Sequence, residues 1–161
     1  MTSAAAWLII AAALPLSGCG FHLQGHTPLP TAAKNPYVEA QDRQSAFVQS
    51  LRHALLSNGA QLADTKSHSS AVVHIIKETY KKRVLSVSAT NQPNEYELTY
   101  TITFSVTAGD EELLPQEDVS ATRTYSFDER LLLAKGHEED LLHADMGRDL
   151  ADRVMRRLAS L

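Results

Sequence analysis

The chain has 161 residues, a formal net charge of −4 at pH 7, and 43% hydrophobic against 21% charged residues, a balance typical of one globular domain that buries its own core. The acidic excess argues against a nucleic-acid-binding protein, which needs a strong positive field. The single cysteine, Cys19, excludes an intramolecular disulfide framework and a multi-cysteine metal site.

The first element is an apolar run over residues 4–16. It is too short for a bilayer-spanning helix, which needs about 20 residues, but it has the length of the hydrophobic region of a signal peptide. Leu16-Ser17-Gly18-Cys19 follows directly and looks like a bacterial lipobox, whose cysteine sulfur takes the diacylglyceryl group. The alternative, a core cysteine at the end of a hydrophobic helix, explains neither the spacing nor the small residues.

We therefore predict a lipoprotein signal peptide over residues 1–18 and lipidation at Cys19. Residues 1–3 contain no Lys or Arg, so either the true start lies upstream or the amino terminus alone supplies the usual positive charge. Several acyl chains together anchor a protein stably to a membrane. Gly20 follows the cysteine where Asp would signal inner-membrane retention in enteric-type bacteria, which favours the periplasmic side of the outer membrane.

Residues 19–34 contain Gly25, Pro28 and Pro30 without sustained periodicity, and we interpret them as a lipidated tether to a single domain over residues 35–161. The domain begins with a short strand over residues 37–40. An amphipathic helix follows from Ser45 and stops at Asn58-Gly59. A polar loop over residues 64–70 ends this part of the chain.

Residues 71–88 are rich in β-branched side chains and predict a second strand with a possible bulge. A turn over residues 91–94 then leads into residues 95–108, the least ambiguous strand of the chain. Large side chains alternate there with small polar ones, so one face is apolar and the other carries mainly hydroxyls. The apolar face consists of Tyr96, Leu98, Tyr100, Ile102, Phe104 and Val106.

Gly109-Asp110 leads to a predicted loop that contains Leu113-Leu114-Pro115, and a third long strand follows from Val119 to Asp128. The last helix is predicted over residues 138–158, where apolar residues recur every four positions. One apolar stripe on each helix and one apolar face on each strand predict an α+β fold. The expected form is a two-layer sandwich with two helices packed on one face of a roughly four-stranded, mostly antiparallel sheet.

No catalytic constellation is visible in the sequence. The seven histidines form no zinc-binding pair, and glycine-rich phosphate loops and nucleophile elbows are absent. His74, in an apolar strand, is interpreted as a hydrogen-bonded core or edge residue, and Glu138, Glu139 and Asp140 as acidic residues that favour a helix start. We predict a protein that is not an enzyme and has no metal or cofactor.

Two basic features remain. Lys77, Lys81, Lys82 and Arg83 lie together on the second strand, and Lys135 lies just before the predicted last helix. Lysines commonly protect a solvated sheet edge from aggregation. Alternatively, such a group of cations suits the phosphates of an anionic lipid headgroup.

Five short motifs follow one another along the chain. They are Gly18-Cys19-Gly20-Phe21-His22-Leu23-Gln24-Gly25, Glu95-Tyr96-Glu97-Leu98, Arg123-Thr124-Tyr125-Ser126-Phe127, Leu133-Ala134-Lys135 and Glu138-Glu139-Asp140-Leu141-Leu142. With this ordered set the chain resembles the LptE family of lipopolysaccharide-assembly lipoproteins, and the resemblance covers essentially the whole chain.

The resemblance implies a plug inside the outer-membrane β-barrel LptD, a complex that inserts lipopolysaccharide into the outer leaflet. By the same resemblance Cys19 matches the acylated cysteine and Lys135 the basic residue before the last helix. The family is also implicated in binding lipopolysaccharide, which makes Lys135 a candidate binding residue. Relatives often carry a basic residue in the hairpin loop over residues 88–92, which has none here. Lys81, Lys82 or Arg83 would have to substitute for it.

A hydroxyl-rich face gives a candidate contact with the barrel. Threonine favours strands in any case, and a polar outer face is usual for an antiparallel sheet. A neutral, hydrogen-bonding surface would nevertheless suit the polar lumen of a barrel. The candidate contact residues are Thr99, Thr101, Thr103, Thr122 and Thr124.

Two other functions remain open from the residues alone. A periplasmic lipid-carrying lipoprotein of another envelope transport system would need a deep apolar pocket between helices and sheet. A lipoprotein hydrolase is the third and weakest alternative, since no catalytic residues support it.

Overall fold

The computed structural model describes residues 29–127 and 132–161, without the side chains of residues 32 and 132–135. The helices and strands are β1 (Pro36–Ala40), α1 (Ala46–Ser57), β2 (Ala71–Val87), β3 (Pro93–Ala108), β4 (Glu111–Ser126) and α2 (Leu132–Ala159). Two single turns of 3-10 helix, Thr31–Ala33 and Lys66–His68, precede β1 and β2. The predicted α+β architecture is confirmed.

The strands form one sheet in the order β1-β2-β3-β4. β1 pairs with the start of β2 in parallel, because α1 carries the chain back across the sheet between them. β2, β3 and β4 are joined by hairpins and pair in antiparallel fashion. The sheet is therefore mixed but mostly antiparallel, and β2 carries the bulges that its sequence suggested, at Ile76 and Leu85.

β3 provides the centre of the core, as its alternation predicts. Its large side chains from Leu98 to Val106 are buried, and Phe104 is completely enclosed. Both helices pack over this face, which we call the inner face of the sheet. The enclosed helix side chains are Phe47, Leu51 and Leu55 of α1 and Met146, Leu150, Val154 and Leu158 of α2.

The start of α1 is fixed to the sheet by one polar junction. Ser45 caps the helix, because its hydroxyl accepts a hydrogen bond from the Val48 amide at 3.1 Å. The same hydroxyl donates to Glu78 of β2 at 2.9 Å, and the Tyr100 hydroxyl donates to the other Glu78 oxygen at 2.6 Å. Burial and this carboxylate raise the pKa of Tyr100 well above its usual value.

The predicted loop at Leu113-Leu114-Pro115 is wrong, because β4 begins already at Glu111. Gly109 adopts a left-handed φ of 59° and closes a tight turn, which returns the chain directly into pairing. Leu114 lies opposite Val106 and is buried. Pro115 is tolerated since it lies at a register shift of an edge strand, where no ladder hydrogen bond is needed from its nitrogen.

The last helix is also longer than predicted. It begins at Leu132 rather than Glu138, so Lys135 lies within its first turns and Gly136 in its interior. An interior glycine costs about 1 kcal/mol relative to alanine, which the packing of the following turns offsets.

The contacts of the domain begin before residue 35. Leu29 packs against the core and Ala33 is buried, although both fall within the predicted tether of residues 19–34. Cys19 and the predicted signal peptide lie outside the described residues. No helix in the described part of the chain is both long and apolar enough to cross a membrane.

Candidate functional site

The basic residues of β2 divide between the two faces of the sheet. In the register with β3, Lys82 lies opposite buried Leu98 and therefore faces the helices. Lys77 and Lys81 lie opposite Thr103 and Thr99, on the outer face away from the helices. The basic residues that are clustered in the sequence of β2 are therefore divided into two groups in the fold, because neighbouring residues of a strand point to opposite sides of the sheet.

On the inner face, Lys82 has several partners. Its Nζ atom lies 2.6 Å from an oxygen of Glu139 on α2 and 4.3 Å from the centre of the Tyr96 ring. Glu139 also accepts a hydrogen bond from the Tyr125 hydroxyl at 2.8 Å. The group ties β2, β4 and α2 together beside the hairpin end of the sheet.

The electrostatics of this group favour the charged pair. Partial burial lowers the pKa of Lys82, but its contacts with Glu139 and Tyr125 outweigh burial and the pKa lies above its usual value. For Glu139, partial burial raises the pKa, while Lys82 and Tyr125 together bring it below the usual 4.5. Lipopolysaccharide binding by Lys82 stays a prediction, and it requires a phosphate to replace Glu139.

On the outer face, Arg83 also has a partner. Its Nε atom donates to Glu97 of β3 at 2.6 Å, in an exposed ion pair. Such pairs contribute little stability and exchange easily with solvent. Arg83 can therefore bind an anion by giving up only its weak contact with Glu97.

Lys77 and Lys81 are the remaining cations of β2. Both are exposed, and within the described residues neither forms an ion pair. They lie on one face of the strand with one outer-face residue, Thr79, between them, so their Cα atoms are about 13 Å apart. Lys77 was not among the residues predicted from the sequence to bind lipopolysaccharide. Its spacing from Lys81 by an even number of residues could have indicated that both lie on one face of the strand.

Lys135 is placed on α2 by its backbone, and its side chain lies outside the described part of the structure. Its role as a ligand-binding residue remains a prediction. The same holds for Cys19 as the lipidated residue.

The hydroxyl-rich residues lie together on the outer face, across two strands. Thr101 lies opposite Ser120, and their hydroxyl oxygens are 3.1 Å apart. Thr99 lies opposite Thr122. On β4 these residues are exposed and on β3 they are partly exposed, because both helices lie on the other face of the sheet.

The face is less neutral than the sequence pattern suggested. Thr103 donates a hydrogen bond to Asp118 at 2.6 Å, and Thr124 lies opposite Glu97 of the exposed ion pair. These acidic residues continue the same alternation, Glu97 at the β3 end before Thr99 and Asp118 at the β4 end before Ser120. The hydroxyl surface therefore has a charged border.

His74 lies on the outer face near the other end of the sheet. Its two ring nitrogens lie 2.7 Å from Glu39 and 2.9 Å from the Thr107 hydroxyl, and Glu39 also pairs with Lys66. This matches the interpretation of a hydrogen-bonded residue, although β2 is paired with both β1 and β3 here, so His74 is not at an edge. Within the described residues, no group of His, Cys, Asp and Glu is arranged to hold a metal ion.

The space between helices and sheet is filled by side chains. Phe47, Leu51, Leu98 and Phe104 meet there with no exposed surface. A groove of about 520 Å³ lies between α1 and α2, and its lining includes the small residues Ala46, Ser50, Ala54, Ala144 and Ala151. It is an open surface feature, so the described core offers no deep apolar pocket of the kind that a lipid carrier needs.

The architecture is that of known bacterial lipoproteins. The crystal structure of rare lipoprotein B from Shewanella oneidensis matches with a TM-score of 0.68 and 28% identity over 78% of this chain and 95% of that one. The solution structure of lipoprotein B from Nitrosomonas europaea matches with a TM-score of 0.71 and 26% identity, and covers 88% and 91% of the two chains.

The sequence comparison identifies the family. The lipopolysaccharide-assembly family LptE matches residues 33–158, and the chain belongs to this family. A relative from Photorhabdus laumondii, described as an LPS-assembly lipoprotein LptE, is 28% identical over 151 residues, which are 93% of this chain and 82% of the relative. The resemblance noted from the sequence motifs is confirmed.

Proposed function

We propose that this LptE-family chain is a non-enzymatic outer-membrane lipoprotein that plugs an LptD barrel, supports its assembly and binds lipopolysaccharide during insertion into the outer leaflet. The open outer face of the sheet carries the barrel part of the proposal. Both helices occupy the inner face, and no described element covers the hydroxyls of β3 and β4.

This face suits a polar barrel wall for a physical reason. Hydroxyls both donate and accept hydrogen bonds, so Thr99, Thr101 and Thr122 can pair with either kind of polar group that faces a lumen. Removing a hydroxyl from water also costs far less than removing a charge. The hydroxyl part of this face can therefore be enclosed without burying a charge.

The lipid anchor places the domain at the membrane. In the proposal, residues 1–18 are removed, Cys19 is acylated, and Gly20 directs the protein to the outer membrane. Nine residues, 20–28, separate Cys19 from Leu29, which packs on the core of the domain. The domain over residues 35–161 thus stays close to the periplasmic side of the bilayer.

For lipopolysaccharide, the proposal rests on the cations that the fold leaves accessible. Lys81 has no ion-pair partner in the described structure, and Arg83 has only an exposed one. Lys135 is carried over from the family resemblance. Together they would meet phosphate groups on the headgroup by charge-assisted hydrogen bonds.

The alternative of a periplasmic lipid carrier predicts bound phospholipid in the purified protein. The filled core between helices and sheet does not favour it. Co-purification separates the two functions, because a carrier would hold lipid without a barrel. Turnover of ester or amide substrates would be needed to support a hydrolase.

The barrel contact is tested by charge substitution on the outer face. Thr101→Glu with Thr122→Glu should prevent rescue of barrel assembly in cells depleted of the wild-type protein, because two charges would be carried into the enclosed hydroxyl face. Thr65→Glu is the matched control, since Thr65 is an exposed threonine in a loop off the sheet. Full rescue by the double variant, with normal surface lipopolysaccharide, would refute the proposed contact face.

Lipopolysaccharide binding is tested separately on the purified protein. Lys81→Glu and Lys135→Glu should each weaken binding at moderate salt, whereas Lys34→Glu, an exposed lysine off the sheet, should not. Raising the salt should reduce the difference, since exposed charge contacts are screened. Unchanged binding in a variant would remove that lysine from the site.

A further inference from the structure

β2 is paired with β3 along one edge, but its other edge is paired over only part of its length. β1 covers Ala71–Ile75, and beyond that point the described residues provide a partner for β2 only on the β3 side. The free edge from Lys77 to Val87 is about 35 Å long at roughly 3.3 Å per residue. Along it, backbone N–H and C=O groups alternate without a strand partner, and such an edge is a template for another strand.

The same edge carries most of the exposed apolar side chains of the described protein. Ile76, Tyr80, Val84, Leu85 and Val87 are between 36% and 55% exposed, and they are five of the eight large hydrophobic residues that remain exposed there. Scattered exposed apolar residues are normal on any surface. Five along one strand, next to unpaired backbone, indicate a surface that is covered in the working protein.

Charge distinguishes between the possible occupants of this edge. A second copy of the chain, pairing antiparallel about Thr79, would place Lys77 of one copy opposite Lys81 of the other. Like charges directly opposite each other on neighbouring strands are destabilising. A strand with carboxylates four residues apart would instead meet both lysines, which have no ion-pair partner among the described residues.

We propose that the free edge of β2, from Lys77 to Val87, binds an extended acidic segment of a partner polypeptide as an additional β-strand. Backbone hydrogen bonds provide the pairing, Lys77 and Lys81 select carboxylates, and Val84 and Leu85 add apolar contact. The inference goes beyond the proposed function, because it concerns the edge of the sheet rather than its hydroxyl face and does not require lipopolysaccharide.

A designed peptide tests the inference directly. The probe is fluorescein-labelled Val-Glu-Val-Thr-Val-Glu-Val, whose two glutamates match the spacing of Lys77 and Lys81. Protein expressed from the full-length sequence and purified in detergent should bind it saturably, as measured by fluorescence anisotropy. Hydrogen exchange should show protection of alternate amides between Lys77 and Lys82, the part of the edge that a seven-residue probe covers.

Two N-methylated probes show whether backbone pairing is responsible. Alternate N–H groups of a strand point to opposite sides, so methylation of odd-numbered residues and methylation of even-numbered residues block different edges of the peptide. One of the two probes should bind at least tenfold more weakly than the unmodified peptide, and the other should bind normally. Equal binding of both would overturn strand addition.

A charge exchange tests the role of the lysines. The double variant Lys77→Glu with Lys81→Glu should bind the glutamate probe at least tenfold more weakly than the wild-type protein does. The same variant should bind a second probe in which lysine replaces both glutamates. Retained circular dichroism confirms that the variant is folded. The proposal fails if wild-type protein shows no saturable binding, if the charge-exchanged pair does not bind, or if self-association competes with the peptide.

The outcome is separable from that of the proposed function. Lipopolysaccharide has no peptide N–H groups, so its binding cannot depend on N-methylation of a probe. Barrel assembly, in turn, is tested with substitutions at Thr101 and Thr122, which lie on β3 and β4 rather than on the unpaired edge of β2. Failure of either test leaves the other informative.

Discussion

Two glycines of α2 should respond in opposite ways to the same substitution. At Gly147, an added Cβ would lie 3.0 Å from the carbonyl carbon of Ala46 and 3.1 Å from the Phe47 nitrogen. These are backbone atoms at the start of α1, so no side-chain rotation can make room. At Gly136, an added Cβ would meet nothing within 4 Å.

The expected magnitudes follow from two opposing effects. Alanine is better than glycine in a helix by about 1 kcal/mol, which applies at both positions. Inserting a methyl group into a tight helix contact costs about 1 to 3 kcal/mol, which applies only at Gly147. Gly136→Ala should therefore stabilise the fold by up to about 1 kcal/mol, and Gly147→Ala should leave it unchanged or destabilise it by up to about 2 kcal/mol.

Urea unfolding followed by far-UV circular dichroism measures this difference. Each kcal/mol moves the midpoint by about 0.3 to 1 M urea if the slope stays constant. Gly136→Ala serves as the control for helix propensity on the same helix. Equal stabilisation by both variants would show that the helices do not approach each other closely at Gly147.

Three further predictions concern the core and its polar ties. Ser45→Ala should cost about 1 to 2 kcal/mol in urea unfolding, because the α1 cap and a Glu78 partner are lost together; an unchanged midpoint would contradict the junction. Phe104→Ala should cost about 3 to 5 kcal/mol, measured in the same way, because it leaves a cavity under both helices; a loss under 1 kcal/mol would contradict its burial. Glu139→Gln should cost about 1 kcal/mol at neutral pH, allowing for solvent around Lys82. Because the Glu139 pKa is lowered in the fold, this contribution is present above about pH 4.5 and is lost as the pH falls through the folded value. The variant should thus lose less stability than wild type between neutral pH and about pH 3, and an identical pH profile would contradict the pair.

The sequence predicted those parts of the fold that depend on local pattern. The alternation from Tyr96 to Val106 identified β3 and its buried face, because a strand places every second side chain on one side. Ser45 and Asn58-Gly59 marked the ends of α1 through their capping chemistry. These signals do not need knowledge of the partner elements.

The faces of β2 could not be predicted in the same way. Counting from inner-face Ile75 without interruption would point Lys77, Lys81 and Arg83 towards the helices. The bulge at Ile76 shifts the alternation by one residue and turns them outward, so that Lys82 faces inward instead. Its partner Glu139 lies far along the chain and gives no local signal.

The predictions of a loop at Pro115 and of a later start for α2 were also wrong because of tertiary contacts. Proline and glycine usually interrupt strands and helices, and the predicted loop contains Pro115 while the predicted last helix begins after Gly136. In the fold, a register shift accommodates Pro115, and the packing of α2 on the sheet carries the helix through Gly136. Local propensity was overruled in both places by contacts with distant residues.

Complex formation with the barrel tests the central claim most directly. The chain, tagged at its C-terminus and carrying a photocrosslinking residue at Thr101, should co-purify with co-expressed LptD in detergent and form a crosslinked product with it. The same residue at Ser57, exposed at the end of α1 away from the sheet face, provides the comparison. The account predicts a stable complex with crosslinking from Thr101 above that from Ser57. Absence of a complex would contradict the proposed plug, and a complex crosslinked only from Ser57 would contradict its contact face.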